Sequence, residues 1–142
     1  MIDTIAAIND LESKIGKLDP ICKILLVYDG TLEYILSVIS NNIRFEVIKQ
    51  IEYEQYIERE VRLEGRFIIN ATSIIYKDAL PSKALDAIRD RRHGIGKILR
   101  EYRIETFRDI IEIGFDKTLY RIYDIIHREK IAFRIREDIL CK

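Results

Sequence analysis

The stretch Ile57-Glu58-Arg59-Glu60-Val61-Arg62-Leu63 alternates apolar and polar side chains with a period of two residues. Because successive side chains of a β-strand point to opposite faces, Ile57, Val61 and Leu63 are expected on the inner face of a half-buried strand. Arg59 falls on the same face. A buried guanidinium is costly unless it is paired. This stretch therefore predicts an arginine on the inner face of a sheet, where its side chain needs a partner.

A second charge, of opposite sign, interrupts an apolar face near the C-terminus. Glu137 shares its strand face with the apolar residues Ile131, Phe133, Ile135 and Ile139. An arginine and a glutamate that project into one apolar pocket suit a small ligand with a carboxylate at one end and a hydroxyl at the other. Arg59 and Glu137 are therefore the candidate site residues.

The sequence alone also allows two arrangements in which these charges bind no ligand. Arg59 and Glu137 could pair with each other as a buried salt bridge. A register shift of one residue would instead return both side chains to solvent, because such a shift exchanges the two faces of a strand. Buried charges also occur for structural reasons, so burial by itself does not indicate function.

Length and composition narrow the class of protein. The 142 residues suit one domain, which is expected to span residues 1–142. Lys plus Arg equals Asp plus Glu at 24 each, so the chain lacks the net positive charge typical of nucleic-acid binders. No apolar run reaches the ~20 residues of a membrane span, and no signal peptide is visible. We expect a small-molecule partner, and neither a nucleic acid nor a membrane.

Cysteine and histidine usage favours a cytoplasmic protein without a metal. Cys22 and Cys141 lie far apart in the sequence and neither belongs to a CxxC pair, so two free thiols are expected. His93 and His127 are the only histidines, and no cluster of residues has metal-ligand spacing. Glycine-rich phosphate loops are also absent. The sequence therefore predicts no metal and disfavours nucleotide binding.

Helical and strand periodicities follow one another along the chain in blocks. Apolar spacing typical of helices covers 2–16, Pro20–Val27, Leu32–Ser40, Pro81–Asp90 and Lys97–Tyr102. Period-two alternation typical of strands covers Ile43–Tyr53, Ile57–Glu64, Phe67–Tyr76, Arg103–Phe115, Leu119–Arg128 and Ile131–Leu140. On the first strand, Ile51 is assigned to the face of Phe45 and Val47. These blocks predict an α+β fold with a six-stranded, mostly antiparallel sheet and two helix-turn-helix units.

The segment Gly94-Ile95-Gly96 precedes the last of these helices. Free backbone amides and the positive end of a helix dipole make such a segment a natural place for a carboxylate. A plain turn between two helices is the alternative. Gly94, Ile95 and Gly96 are candidate substrate-binding residues on the first interpretation only.

Taken in order, several stretches resemble the chorismate lyase (chorismate pyruvate-lyase) family, in particular its short archaeal and mycobacterial-type branch. These stretches are Leu25–Leu32, Arg59-Glu60-Val61, Ala71–Ile75, Gly94–Leu99, Arg108–Gly114 and Glu137. The resemblance covers most of the chain and rests on order and spacing rather than on one decisive motif.

The resemblance implies a ligand enclosed beneath two helical flaps, and a lyase that converts chorismate to 4-hydroxybenzoate and pyruvate without a cofactor. It assigns the ring carboxylate to Arg59 and to the backbone amide of Ile95, and the ring hydroxyl to Glu137. The implied substrate class is an aromatic or cyclohexadienyl carboxylate. The residue pattern and the resemblance thus select the same two catalytic residues, Arg59 and Glu137.

Two interpretations without catalysis remain. The same fold serves as the effector-binding domain of GntR-type repressors, so a relative could bind an aromatic carboxylate without turnover. A purely structural interaction module would require Arg59 and Glu137 to pair only with each other. The sequence makes no prediction of oligomeric state.

Overall fold

Five α-helices, one short 3₁₀ helix and six β-strands make up the described part of the chain. The computed structural model describes residues 2–141. The helices are α1 (Thr4–Ile15), α2 (Pro20–Val27), α3 (Leu32–Ile39), the 3₁₀ helix (Lys77–Ala79), α4 (Ser82–Arg89) and α5 (Ile95–Glu101). The strands are β1 (Arg44–Glu52), β2 (Tyr56–Glu64), β3 (Ile68–Tyr76), β4 (Phe107–Phe115), β5 (Leu119–His127) and β6 (Lys130–Leu140). None of the described helices is both long enough and apolar enough to cross a membrane.

The six strands form one antiparallel sheet in the order β1-β2-β3-β6-β5-β4. Strands β1 to β3 form one meander and β4 to β6 a second, and the two meanders meet where β3 pairs with β6. A pair of helices precedes each meander: α2 and α3, here called the first flap, and α4 and α5, the second flap. The predicted α+β fold, with its six-stranded antiparallel sheet and its two helical pairs, is confirmed.

Local capping chemistry sets where the first two helices begin. The Asp3 carboxylate accepts a hydrogen bond from the Ala6 amide at 3.0 Å, and the Asp19 carboxylate accepts one from the Ile21 amide at 2.8 Å. Pro20 occupies the first turn of α2, where the missing N–H of a proline needs no partner. Because these signals lie within a few residues of each helix start, the sequence predicts α1 and α2 closely.

The second half of β1 faces the opposite way from the prediction. A β-bulge at Ile48 interrupts the regular pairing with β2. Because one extra residue exchanges the two faces of a strand, Ile51 lies opposite to Phe45 and Val47, and Gln50 takes the inner position. The predicted common face of Ile51 with Phe45 and Val47 is therefore wrong.

Two other elements begin at residues that differ from the predicted ones. Strand β4 begins at Phe107, the first residue that pairs with β5, and Arg103 adopts a left-handed backbone with φ of 52° outside the strand. The predicted start at Arg103 is therefore wrong. Helix α5 begins at Ile95 with Gly94 as its N-cap. Ile95 and Gly96 therefore belong to the helix, and the predicted start at Lys97 is wrong.

Two hydrophobic clusters pack against the inner face of the sheet. One cluster joins the second flap to the middle of the sheet, and includes Ile88 and Phe133. The other joins α1 and the first flap to one end of the sheet, and includes Leu25 and Ile69. Burial of these apolar side chains supplies the main driving force for folding. Each flap is therefore anchored by its own cluster.

Cys22 and Cys141 form a disulfide, which corrects the prediction of two free thiols. Cys22 lies on α2 and Cys141 follows β6, and their Cα atoms are 6.2 Å apart although 119 residues separate them in the sequence. Packing of the first flap on the end of the sheet brings the two residues together, and spacing along the chain carries no such information. The bridge joins the first flap to the strand that carries Glu137.

We expect this disulfide to stabilise the fold by about 2–5 kcal/mol, because it closes a long loop and restricts the unfolded chain. The urea midpoint of the oxidised protein should fall when a reductant is added. The double variant Cys22→Ser/Cys141→Ser is the matched control: its midpoint should equal that of the reduced protein and should not respond to reductant. Equal midpoints for oxidised and reduced wild-type protein would contradict this expectation.

Candidate functional site

An internal cavity lies between the sheet and the two flaps. Side chains of the strands line one side, and the flaps contribute Thr31, Leu32, Glu33, Gly94, Ile95 and Gly96. The cavity volume of about 60 Å³ is smaller than the ~150 Å³ of a protein cavity that admits benzene. A six-membered ring can therefore enter only when the flaps or the lining side chains move.

All five site residues predicted from the sequence line this one cavity: Arg59, Gly94, Ile95, Gly96 and Glu137. Arg59 comes from β2, Glu137 from β6, and the other three from the start of α5. Arg59 is 1% exposed and Glu137 is 7% exposed, which confirms that both charges are buried and rules out the one-residue register shift. The functions of the five residues stay predictions.

Arg59 is a buried cation without a carboxylate partner among the described residues. Its Nη2 donates a hydrogen bond to the His93 carbonyl oxygen at 2.5 Å, whereas its buried Nε and Nη1 have no hydrogen-bond partner within residues 2–141. Burial, and then the charge of Arg91, lower the pKa of Arg59 to about 10, so the side chain stays protonated at neutral pH. Unsatisfied buried donors are costly, and a carboxylate is the acceptor that suits a guanidinium best.

Glu137 pairs with Arg121 rather than with Arg59. Its Oε1 accepts a hydrogen bond from Arg121 Nε at 2.7 Å, and its Oε2 accepts one from the Tyr123 hydroxyl at 3.1 Å. Arg121 is 0% exposed and also donates from Nη1 to the Tyr28 carbonyl oxygen of the first flap. Glu137 is thus fixed in orientation by two donors from the neighbouring strand.

Both donors to Glu137 keep their protons. Burial disfavours the charged form of Arg121, but the oxygens of Glu137 and Tyr123 outweigh that effect, so the pKa of Arg121 is raised. Burial, and then the charge of Glu137, raise the pKa of the Tyr123 hydroxyl. Since a carboxylate offers about four lone-pair positions, Glu137 can still accept a hydrogen bond from a ligand.

The register of the sheet explains this choice of partner. Glu137 on β6 and Arg121 on β5 are direct cross-strand partners. Arg59 lies on β2, with β3 between it and the strand of Glu137, so two strand spacings or about 10 Å separate the backbones. The salt bridge between Arg59 and Glu137 that the sequence left open does not form.

The two flaps touch each other above the cavity at Thr31 and Gly96. A Cβ atom on Gly96 would collide with Thr31 Oγ1 and lie 2.8 Å from Thr31 Cβ, so any larger residue would push the flaps apart. Ile95, directly before this contact, is the first residue of α5. The N–H of a first helical residue has no acceptor within its helix, so the Ile95 amide is free of helical hydrogen bonding.

Three further residues were not predicted from the sequence: Arg108 and Tyr123, which line the cavity, and Arg121, which pairs with Glu137. Arg121 and Tyr123 lie on the inner face of β5, where the alternation over 119–125 carries the same signal that identified Arg59. Arg108 lies on β4 and lines the cavity, and no sequence pattern indicated a role for it. Within residues 2–141, no group of three or more His, Cys, Asp or Glu side chains could hold a metal ion.

Fold and cavity together define an α+β protein that encloses buried arginine and glutamate side chains beneath two helical flaps. No protein-family model matches the chain. The chain is similar to a protein named chorismate pyruvate-lyase from Mycobacterium leprae (strain TN), with 27% identity over 119 residues. The similarity covers 70% of this chain and 57% of that relative, so the matched part is little more than half of the relative's length.

Loss of the charge of Arg59 and loss of the charge of Arg121 should have different effects on the free energy of unfolding. Arg59→Met should leave the free energy of unfolding unchanged or raise it by about 1 kcal/mol, because an apolar side chain replaces a buried cation without an anion. Arg121→Met should lower the free energy of unfolding by about 3–5 kcal/mol, because Glu137 is left buried without its cation. Urea unfolding of both variants at neutral pH measures the difference.

The double variant Arg121→Met/Glu137→Leu serves as the control, because it removes both charges of the pair at once. It should recover most of the stability that Arg121→Met loses. A loss in Arg59→Met as large as that in Arg121→Met would show that Arg59 is a structural cation.

Proposed function

We propose that this protein is a chorismate pyruvate-lyase, which converts chorismate to 4-hydroxybenzoate and pyruvate without a cofactor. The observation that carries the proposal is Arg59, a buried guanidinium with two unpartnered nitrogens that shares a cavity with the oriented carboxylate of Glu137. A ring with a carboxylate at one end and a hydroxyl at the other complements these two groups. The similarity to the named lyase supports the same activity.

In the proposed complex, Arg59 and the Ile95 amide bind the ring carboxylate. Charge-assisted hydrogen bonds to a guanidinium are among the strongest that proteins form, and here they would satisfy donors that are otherwise buried and unpaired. The hydrogen bond from Arg59 to the His93 carbonyl oxygen ties the same guanidinium to the segment just before α5. Gly94 and Gly96 flank the Ile95 amide, and Gly96 lets the flaps close over the ligand.

The reaction needs no redox step, because the ring of chorismate already carries the electrons of the aromatic product. The bond between the ring carbon and the ether oxygen breaks, and its electron pair leaves with the oxygen. The hydrogen on the neighbouring, hydroxyl-bearing ring carbon is lost, and its bonding electrons complete the aromatic ring. The methylene carbon of the released enolpyruvyl group gains a proton and becomes the methyl group of pyruvate.

Glu137 accepts a hydrogen bond from the ring hydroxyl in this proposal. That contact positions the ring carbon from which hydrogen is lost, because the hydroxyl is attached to the same carbon. Both oxygens of Glu137 already accept hydrogen bonds, from Arg121 and from Tyr123, so we assign it an orienting role rather than that of a free base. Holding the reactive conformer in a closed, dry pocket would then supply most of the acceleration.

Purified protein should release 4-hydroxybenzoate and pyruvate from chorismate in equal amounts, as chromatography of the reaction mixture will show. Arg59→Met should lower kcat/KM by about 100-fold or more, because the ring carboxylate loses its charge-assisted hydrogen bonds. Arg62→Met is the matched control. It removes an arginine from the opposite face of the same strand and should keep wild-type activity.

The outcomes of this assay separate the candidate functions. No product, with 4-hydroxybenzoate still raising the Tm, would indicate a protein that binds an aromatic carboxylate without turnover. Absence of both product and stabilisation would reject the lyase and the ligand-binding protein alike.

Glu137→Gln should lower kcat by about 100-fold, because a misplaced ring no longer holds the reactive geometry. Affinity for 4-hydroxybenzoate should fall less, since Arg59 still binds the carboxylate. Asp138→Asn is the control, because it removes the neighbouring carboxylate, which faces away from the cavity and pairs with Arg136. Steady-state kinetics of the two variants provide the measurement, and a wild-type kcat in Glu137→Gln would remove Glu137 from the mechanism.

A further inference from the structure

A second arginine, Arg108, lines the same cavity as Arg59. Its Nε is buried without a hydrogen-bond partner, and its Nη2 lies 3.5 Å from Thr31 Oγ1, at the limit of hydrogen-bond distance. Within the described residues 2–141, neither Arg59 nor Arg108 has a carboxylate partner, whereas Arg121 has one in Glu137. The cavity therefore holds two guanidinium groups that an anion could satisfy.

Arg59 and Arg108 reach the cavity from opposite halves of the sheet. Arg59 lies on β2 and Arg108 on β4, four strand spacings apart, which is roughly 19 Å between backbones for strands ~4.8 Å apart. The guanidinium carbon of Arg108 lies 5.8 Å from the centre of the Tyr123 ring, whose hydroxyl donates to Glu137. Arg108 thus borders the Glu137 side of the cavity, whereas Arg59 reaches the cavity from the other half of the sheet.

Arg108 also lines a cleft on the outer side of the contact between the flaps. This cleft shares Thr31, Gly96 and Arg108 with the internal cavity and adds Arg100 and Arg103. Arg108 therefore lies where the internal cavity meets the outer cleft.

We propose that Arg108 binds the second carboxylate of a dicarboxylate substrate, the one on the enolpyruvyl arm. The inference rests on the proposed lyase function. In chorismate the arm is attached to the ring carbon next to the hydroxyl, so a ring held by Arg59 and Glu137 presents its arm on the Glu137 side. Arg108 is the cation without a carboxylate partner on that side, within residues 2–141.

Loss of Arg108 should affect a dicarboxylate ligand and spare a monocarboxylate. Arg108→Met should lower kcat/KM for chorismate by about 10–100-fold, because the arm carboxylate loses charge-assisted hydrogen bonds. The dissociation constant of 4-hydroxybenzoate should stay within about twofold of wild type, because separate sites act independently. Arg59→Met should weaken both ligands. Steady-state kinetics with chorismate and calorimetry with 4-hydroxybenzoate make the comparison.

Two further variants separate ligand binding from folding. Arg108→Lys retains the charge and should recover part of the loss for chorismate. Arg62→Met changes an arginine on the outer face and should alter neither ligand. Unchanged chorismate kinetics in Arg108→Met would overturn the inference, and so would an equal loss of affinity for both ligands, since Arg108 would then act on the ring carboxylate.

The inference and the proposed function can fail separately. If the wild-type protein does not turn over chorismate, the lyase proposal fails, and competition binding still tests Arg108. Chorismate should then displace 4-hydroxybenzoate from the wild-type protein, and Arg108→Met should weaken chorismate selectively. Loss of that selectivity, or no displacement by chorismate, would overturn the inference as well.

Discussion

The buried ion pair of Glu137 and Arg121 determines which buried charge of the cavity is left without a partner. The two residues are direct cross-strand partners, and Arg121 Nε lies 2.7 Å from a carboxylate oxygen of Glu137. Because Glu137 is satisfied by this neighbour, it does not neutralise Arg59, which stays a buried cation without an anion among the described residues. Arg121 also donates to the Tyr28 carbonyl oxygen, so one side chain connects the sheet, the site carboxylate and the first flap.

The two flaps are tied to the sheet by different kinds of contact. The disulfide between Cys22 and Cys141 holds the first flap covalently to the end of β6. A hydrogen bond from Arg59 to the His93 carbonyl oxygen reaches the second flap, and it comes from the side chain that we propose binds the ligand. The contact between the flaps is close because Gly96 has no side chain. This close contact between the flaps explains why the cavity beneath them is too small for a six-membered ring.

Pairing distinguishes the arginines of the outer face of the sheet from those of the cavity. On the outer face, Arg134 makes two hydrogen bonds of 2.8 Å to Asp124, and Arg136 bonds both Asp116 and Asp138. These arginines are satisfied by carboxylates of the protein and require no ligand. In the cavity, Arg59 and Arg108 keep buried nitrogens without acceptors within residues 2–141. The outer-face arginines are thus paired with carboxylates of the protein, whereas the cavity arginines are available to bind an anion.

The sequence by itself determined the features that depend on near neighbours. Period-two alternation predicted that Arg59 and Glu137 face inward, because side-chain direction repeats every two residues along a strand. It did not predict the bulge at Ile48, because that irregularity appears only in the pairing of β1 with β2. The partner of Glu137 and the bond between Cys22 and Cys141 were decided by tertiary structure alone, since both join residues that only the order and register of the strands bring together.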